Sequence, residues 1–304
     1  DGMLHAFHAQ TGEEQGAYIP NMLYEELPKL SHPDYEHQYF VNNTPFVKQT
    51  ESQKLLVCPM AKGYKGLFML DITAPMGEAG YGNVGMWEYP GVGVTDDDRV
   101  YTYSNATILK TAAEDWVVIT GNGYDSVNGH AILYILDADD GTVLRKLDTG
   151  VGGCNGLSTP AIIDPDSNGI IDFVYAGDLK GNLWKFDLQG GDKANWKVAF
   201  SDGTDPQPLV TVQTTDAEGN PQTQAITAAP GIMFIRECLN AQPPAKGYLV
   251  LFGTGKYLGV SDLDDDSQQS VYGVYDWSPM YAEGARANKY LGTVSNGAPR
   301  TLDN

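Results

Sequence analysis

Short runs of alternating apolar and polar residues return several times along the chain, with connecting segments of unequal length. The most regular run is a glycine-containing turn followed by an alternating strand that often ends in aspartate. It occurs at Asp1–Glu13, Lys65–Thr73, His130–Gly141 and Lys180–Gly191, and in a weaker form at Gln269–Trp277. Alternation with a period of two predicts β-strands that bury one face.

Two further apolar phrases precede each internal copy of this run. The first reads "NTPFV" from Asn43, "NATIL" from Asn105, "STPAII" from Ser158 and "TAAPGIMF" from Thr227. The second phrase lies between the first phrase and the glycine-containing run. It reads "KLLVCPM", "DWVVITG", "DFVYAGD" and "GYLVLFGTG". The repeating order is therefore strand A, strand B, strand C and a more variable outer strand.

This order predicts an all-β fold, a β-propeller of four-stranded antiparallel blades that stack face to face. We count four full units after an N-terminal half unit, which favours a modified or partly complete ring. A twisted open sheet or a sandwich is the alternative, but neither explains why three phrases recur in one order. We expect residues 1–304 to form a single propeller domain, the C-terminal part of a longer protein, because "DGMLHAF" reads as the middle of a unit.

Composition and charge narrow the function classes. Aromatic residues make up 11% of the chain and there are 35 glycines, as expected for short strands joined by many turns. The net charge of −20 argues against a nucleic-acid partner, which needs a basic face. It suits either a protein that holds divalent cations or one kept soluble by its charge. No run of apolar residues is long enough for a transmembrane helix.

Cys58, Cys154 and Cys238 lack the spacing of a zinc site. One disulfide and one free thiol are possible, and the sequence does not choose the pair.

The stretch "DPDSNGIID", between strand A and strand B of the third full unit, has the spacing of a calcium loop. Asp164, Asp166 and Asn168 stand at its first, third and fifth positions, Gly169 permits the sharp turn, and Ile170 would offer its carbonyl oxygen. Asp172 stands at the ninth position, and it or water must complete the shell. The bidentate glutamate of an EF-hand is absent, because its place is taken by a tyrosine.

The alternative interpretation of this stretch is an Asx-rich turn without a metal. Three aspartates within nine residues repel one another unless a cation lies among them, which favours the metal site. Magnesium fits less well than calcium, because it keeps more of its water. The acidic runs "DDDR" and "DLDDDS" lack the glycine and the alternation, and we interpret them as solvated loops.

The segments "GNGYDSVNGHAILYILDADDGTVLRKLDTG" and "NGLSTPAIIDPDSNGIIDFVYAGDLKGNLWKFDL" resemble the C-terminal propeller of PilY-type proteins. These are adhesins and biogenesis factors associated with the tip of type IV pili. The resemblance implies a calcium-binding, non-enzymatic propeller that regulates pilus extension and retraction, twitching motility and surface attachment. It also implies that the calcium ligands are Asp164, Asp166, Asn168, the carbonyl of Ile170, and Asp172.

The same resemblance implies where the protein acts and with which partners. We expect a protein exported through the periplasm of a Gram-negative bacterium to the cell surface, at the pilus tip. Pilin or minor pilin proteins are the expected partners, with host or abiotic surface ligands as further candidates.

Two other function classes remain open at this point. Quinoprotein dehydrogenases, which hold pyrroloquinoline quinone, are also propellers with blade phrases like "DGMLHAFHAQTG". Many carry adjacent cysteines, which this chain lacks, and they hold calcium in a central pocket. A lectin-like propeller is the other alternative, since the aromatic residues of "LWKFDL" and "YGVYDW" could line a sugar site.

Overall fold

The computed structural model describes residues 2–74, 84–98, 101–114, 116–216, 218–235, 247–276 and 293–295. Its strands, numbered β1 to β22, are Leu4–Phe7, Glu14–Tyr18, Phe46–Gln49, Lys54–Pro59, Leu67–Asp71, Gly85–Tyr89, Thr107–Leu109, Val117–Gly121, Ile132–Asp137, Val143–Asp148, Ala161–Ile163, Phe173–Gly177, Asn182–Asp187, Lys197–Val198, Phe200–Ser201, Pro206–Gln207, Val210–Thr215, Pro221–Thr223, Gly231–Ile235, Gly247–Gly253, Val271–Asp276 and Thr293–Ser295.

The helices of the described residues are short 3-10 turns at Asn21–Leu23, Leu27–Ser31, Lys193–Asn195 and Val260–Asp264. None of these helices is long and apolar enough to cross a membrane.

Apart from the parallel pair β17–β22, the strands form consecutive antiparallel sheets, which confirms the predicted all-β propeller of four-stranded blades. The N-terminal half unit is the hairpin β1–β2. The first and second blades are four-stranded, with the orders β3-β4-β5-β6 and β7-β8-β9-β10. The third blade is built on β11-β12-β13, and the fourth sheet, β19-β20-β21, has three strands within the described residues. Of the weaker copy of the repeat, Trp277 lies outside the described residues.

The outer position of the third blade departs from the regular pattern. Strand β14 pairs with one end of β13 and β17 pairs with its other end, so two strands share the place of one. Beyond this point β17 continues into a hairpin with β18 and pairs in parallel with β22. The long connection between the third and fourth blades therefore adds to the third sheet.

The core lies between the blades, because strands B and C are buried on both faces. In β4, Leu55 and Val57 pack towards the second blade, whereas Leu56 and Cys58 pack towards the half unit. Residues on the two faces of the later blades likewise form one apolar core between the second and third blades and another between the third and fourth. The sheets therefore stack face to face, and this stacking fixes the position of the loops that join their strands.

The chain that enters the next blade passes close to the end of strand B. A Cβ atom built on Gly121 would lie 2.4 Å from the carbonyl oxygen of Leu157, which leads into the third blade. One built on Gly177 would lie 2.2 Å from Cγ2 of Ile226, which leads into the fourth. Glycine at these two positions lets the chain enter the next blade.

Candidate calcium loop

The predicted loop lies where the sequence analysis placed it, between two paired strands of the third blade. Strands β11 and β12 flank it, and Ile163 and Phe173 are cross-strand partners at its base. The N–H of Asp172 donates to the carbonyl oxygen of Ile163 at 3.1 Å, which closes the base of the loop. The loop is thus an extended A–B turn of a blade, held at both ends by a β-ladder.

Side-chain oxygens fold the loop around its own centre. Asp164 accepts hydrogen bonds from the N–H groups of Asn168 (3.2 Å) and Gly169 (2.7 Å). Asn168 in turn accepts the N–H of Ile170 at 2.7 Å, and its amide donates to Asp166 at 3.0 Å. Gly169 has a φ of +86°, in the left-handed region that glycine tolerates without strain. The sharp turn expected at this glycine is therefore present.

Three carboxylates converge inside this turn. Asp164, Asp166 and Asp172 each offer an oxygen, and these oxygens lie within 4.8 Å of one another. Among the residues that the structure describes, this is the only group of three or more histidine, cysteine or acidic side chains that meets that distance. Burial raises the pKa of Asp172, and the nearby negative charges of Asp166 and Asp164 raise it further. Ionised carboxylates at this spacing repel one another and favour a cation.

The donor set fits calcium. Calcium takes six to eight hard oxygen ligands, from carboxylates, amide and main-chain carbonyls, and water. The loop gathers three carboxylates, with the Asn168 side chain and the Ile170 main chain in the same turn. It supplies no sulfur or imidazole, which softer transition metals prefer. Asp166 and Asn168 are exposed, so water can reach the centre of the loop.

Two neighbouring elements support the loop from outside. The carbonyl oxygen of Lys110, at the end of β7 in the second blade, accepts the N–H of Ile171 at 2.9 Å. Within the third blade, the N–H of Leu188 donates to the carbonyl oxygen of Asp172 at 2.8 Å. The main chain around the ninth loop position is therefore fixed by a strand on each side.

Sequence reasoning missed Tyr248 of β20 in the fourth blade, which packs in one cluster with Ile163 and Phe173 at the base of the loop. Its ring is buried, and its pKa is raised to about 12 by burial and by the negative charges of Asp172, Asp276 and Asp164. No sequence pattern signals this contact, because Tyr248 reaches the loop only when the fourth blade stacks on the third.

The other acidic runs were interpreted as solvated loops, but one aspartate of each is buried in an ion pair that serves the fold. Asp96 accepts hydrogen bonds from the Tyr134 hydroxyl at 2.8 Å and from Lys146 Nζ at 2.7 Å, so it ties the end of the first blade to the second. In the run near the fourth blade, Asp262 pairs with Lys256 at 2.7 Å and accepts the N–H of Leu258.

Comparison with known proteins gives one consistent family. A family model described as the PilY1 beta-propeller domain matches residues 1–298. The type IV pilus biogenesis factor PilY1 of Pseudomonas aeruginosa (strain PAK) is 37% identical over the whole of this chain, which spans 26% of that protein. A PilY1 homolog of Xylella fastidiosa (strain Temecula1) is 34% identical over 93% of this chain, which spans 19% of it.

Among solved structures, the crystal structure of the Pseudomonas aeruginosa PilY1 C-terminal domain superimposes with a TM-score of 0.71. It is 33% identical, and the match covers 97% of this chain and 58% of that one. The chain thus spans about a quarter or less of the curated relatives described here and somewhat more than half of the solved domain.

Proposed function

The chain belongs to the PilY1 beta-propeller family, and on this basis we propose that it is a calcium-binding, non-enzymatic propeller domain of a type IV pilus biogenesis factor. The relatives that match it are named as pilus biogenesis factors, not as enzymes. The observation that supports calcium binding is the convergence of Asp164, Asp166 and Asp172 in one turn.

The loop acts as an ordering switch. Without a cation, three like charges lie close together, and the burial of Asp172 adds to the cost. A bound calcium ion supplies two positive charges at their centre. Asp164, Asp166 and Asp172 would then hold it with the Asn168 side chain, the Ile170 carbonyl oxygen and water. The hairpin end becomes one fixed surface on the rim of the third blade.

Control of pilus extension and retraction follows if this rim contacts pilin or minor pilin proteins at the pilus tip. A protein in that place is exported through the periplasm to the cell surface, where it also serves attachment to host or abiotic surfaces. The domain then responds to external calcium by ordering the surface that contacts its pilin partners.

Calorimetric titration of the isolated chain with calcium, and separately with magnesium, tests this function. We expect calcium to bind at one site and more tightly than magnesium. Calcium should also raise the melting temperature with concentration, since it binds only the folded loop. Identical melting curves in EDTA and in millimolar calcium would contradict the proposal.

The quinoprotein alternative places its calcium in a central pocket beside the quinone. The candidate loop here is the turn between strands A and B of a single blade, which favours the non-enzymatic function. Addition of pyrroloquinoline quinone, an alcohol and a dye acceptor gives a direct test, and turnover would favour the enzyme.

A lectin-like function is a second candidate, favoured by one cleft. The cleft has a volume of about 700 Å³, and its lining includes Tyr39, Tyr64, Tyr101, Lys62 and Lys65. Tyrosine rings can stack on the apolar face of a sugar, and the lysines can donate to its hydroxyl groups. A glycan array probed with the wild type and with Tyr101→Ala would show binding that the variant loses.

A further inference from the structure

The two residues at the base of the candidate loop belong to the core between the third and fourth blades. Ile163 precedes Asp164, Phe173 follows Asp172, and both side chains are more than nine-tenths buried. They pack in one apolar cluster with Tyr248 and Val250 of the fourth blade. Both ends of the loop are therefore in contact with the fourth blade through this core.

A buried ion pair joins the same two blades close to the loop. Lys185 Nζ of β13 lies 2.8 Å from Asp276 Oδ2 of β21, and both side chains are 2% exposed. The Tyr175 hydroxyl of β12 donates to the same carboxylate oxygen at 2.6 Å. The Lys185 ammonium also lies 4.2 Å from the centre of the Phe173 ring, a cation–π distance.

Tyr248 packs in the apolar cluster that contains Ile163 and Phe173, the residues at the base of the loop. It is the cross-strand partner of Asp276 in the fourth sheet. It is 3% exposed, and the charges of Asp172, Asp276 and Asp164 all act on its hydroxyl group. Through Tyr248, the apolar cluster at the base of the loop is therefore joined to Asp276 across the boundary between two blades.

We propose that cation binding in the loop and docking of the fourth blade on the third are thermodynamically linked, with Tyr248 as the positioning residue between them. The proposal rests on the calcium function proposed above. A docked fourth blade packs against Ile163 and Phe173 and restrains the β-ladder between them, which keeps Asp164 and Asp172 together. An undocked one leaves the carboxylates free to move apart, so the cation binds the docked state more tightly.

Linkage of this kind is reciprocal: if docking favours the cation, then the cation favours docking by the same factor. A change in external calcium would thus alter the boundary between two blades and not only one turn. The fourth blade becomes the element through which the loop acts on the rest of the propeller.

The first test changes Tyr248 without changing charge. Tyr248→Phe keeps the ring in the core, whereas Tyr248→Ala removes it. We expect Tyr248→Ala to weaken calcium binding by at least about fivefold, the lower end of typical coupling, and Tyr248→Phe to stay close to the wild type. Isothermal titration calorimetry with calcium chloride measures both, after circular dichroism has shown that each variant is folded.

A matched control exists at another blade boundary. Tyr134 of β9 is fully buried in the core between the first and second blades, and its hydroxyl also donates to a carboxylate. Tyr134→Ala should lower stability as Tyr248→Ala does, yet leave calcium affinity unchanged. An equal loss of affinity in Tyr134→Ala would mean that general destabilisation, and not linkage, is being measured.

The second test needs no variant, so it decides the matter even if Tyr248→Ala fails to fold. Hydrogen exchange of the wild type is followed in millimolar calcium and in EDTA. We expect calcium to slow exchange at 247–253 and 271–276 in the fourth blade as well as in the loop. Exchange at 54–59 in the first blade should not change.

The outcomes separate the two proposals. No calcium binding by the wild type would overturn the calcium function and the linkage with it. Calcium binding with protection confined to the loop would leave the calcium function standing and overturn the linkage. Equal calcium affinities for Tyr248→Ala and Tyr248→Phe would overturn the linkage in the same way.

Discussion

The N–H of Gly169 donates a hydrogen bond to Asp164 Oδ2 at 2.7 Å, and this bond closes the turn around the three carboxylates. Asp164 therefore has two roles in the proposed site, since it shapes the loop and offers a charged ligand. An alanine at this position would remove both. Asparagine keeps an acceptor for the Gly169 N–H and removes only the charge, which makes it the sharper test.

We predict that Asp164→Asn and Asp172→Asn each weaken calcium binding by at least about tenfold, or about 1.4 kcal/mol. Each change takes one negative charge from the converging group. Asp264→Asn is the control, because it changes net charge equally in the exposed run of the Val260–Asp264 helix. Calorimetric titration with calcium compares the three variants.

Equal calcium affinities for all three variants would mean that the loop is an Asx-rich turn without a metal. In the full-length protein, the two loop variants should change pilus number or twitching, and Asp264→Asn should not.

A second prediction concerns the sign of the stability change at Asp172. Its pKa is raised by burial and by the charges of Asp166 and Asp164, so at neutral pH its ionised form opposes folding when no cation is present. Asp172→Asn should therefore raise the melting temperature in EDTA by about 1–2 °C. In millimolar calcium the order should reverse, because the variant has lost a ligand. Calorimetric scans in both buffers that show the same sign would contradict this prediction.

The buried pair of Lys185 and Asp276 supports a third prediction. Lys185→Met removes the cation that lies 2.8 Å from Asp276 Oδ2, at the buried boundary between two blades. Loss of one partner of a buried pair costs about 3–5 kcal/mol. Urea unfolding should show this loss, and the double variant Lys185→Met with Asp276→Asn should recover part of it, because no buried charge remains. A double variant less stable than Lys185→Met would contradict the argument.

The cysteines give a fourth prediction. Cys58 is buried and Cys154 is exposed, and both are free thiols; Cys238 lies outside the described residues. Burial raises the pKa of Cys58 to about 12, and thiol reagents attack the thiolate. At pH 8, a maleimide should label Cys154 within minutes and Cys58 only after unfolding. Mass spectrometry of the digested protein identifies the labelled cysteines, and rapid native labelling of Cys58 would contradict its burial.

The sequence predicted those parts of the fold that depend on local periodicity. Strands β11 and β12 and the loop between them lie where the apolar runs and the aspartate spacing placed them. The split outer position of the third blade was not predictable, because β14 is a two-residue strand and shows no alternation.

The surroundings of the loop were not predictable for a different reason. Lys185 alternates with apolar neighbours in β13 as a solvent-facing lysine would, yet it is 2% exposed. Its partner Asp276 and the nearby Tyr248 come from another blade. Such contacts are created by the stacking of blades, and that stacking is not encoded in the pattern of any one strand.

The last prediction concerns the glycines at the ends of the B strands. Gly177 ends β12 and Gly253 ends β20, so they are equivalent positions in successive blades. A Cβ on Gly177 would lie 2.2 Å from Ile226 Cγ2, whereas a Cβ on Gly253 would meet no atom within 4 Å among the described residues. Gly177→Ala should lower the free energy of unfolding by about 1–3 kcal/mol, the usual cost of overpacking.

Gly253→Ala is the matched control, since both changes add one methyl group to an extended strand. It should leave stability within about 0.5 kcal/mol of the wild type, as surface changes do. Urea unfolding measures both variants. If Gly177→Ala were as stable as Gly253→Ala, the close contact between the third blade and the segment that leads into the fourth would not exist in solution. If both variants were equally destabilised, Gly253 would also lie against a neighbouring segment, and the two strand ends would be equivalent in packing as well as in sequence.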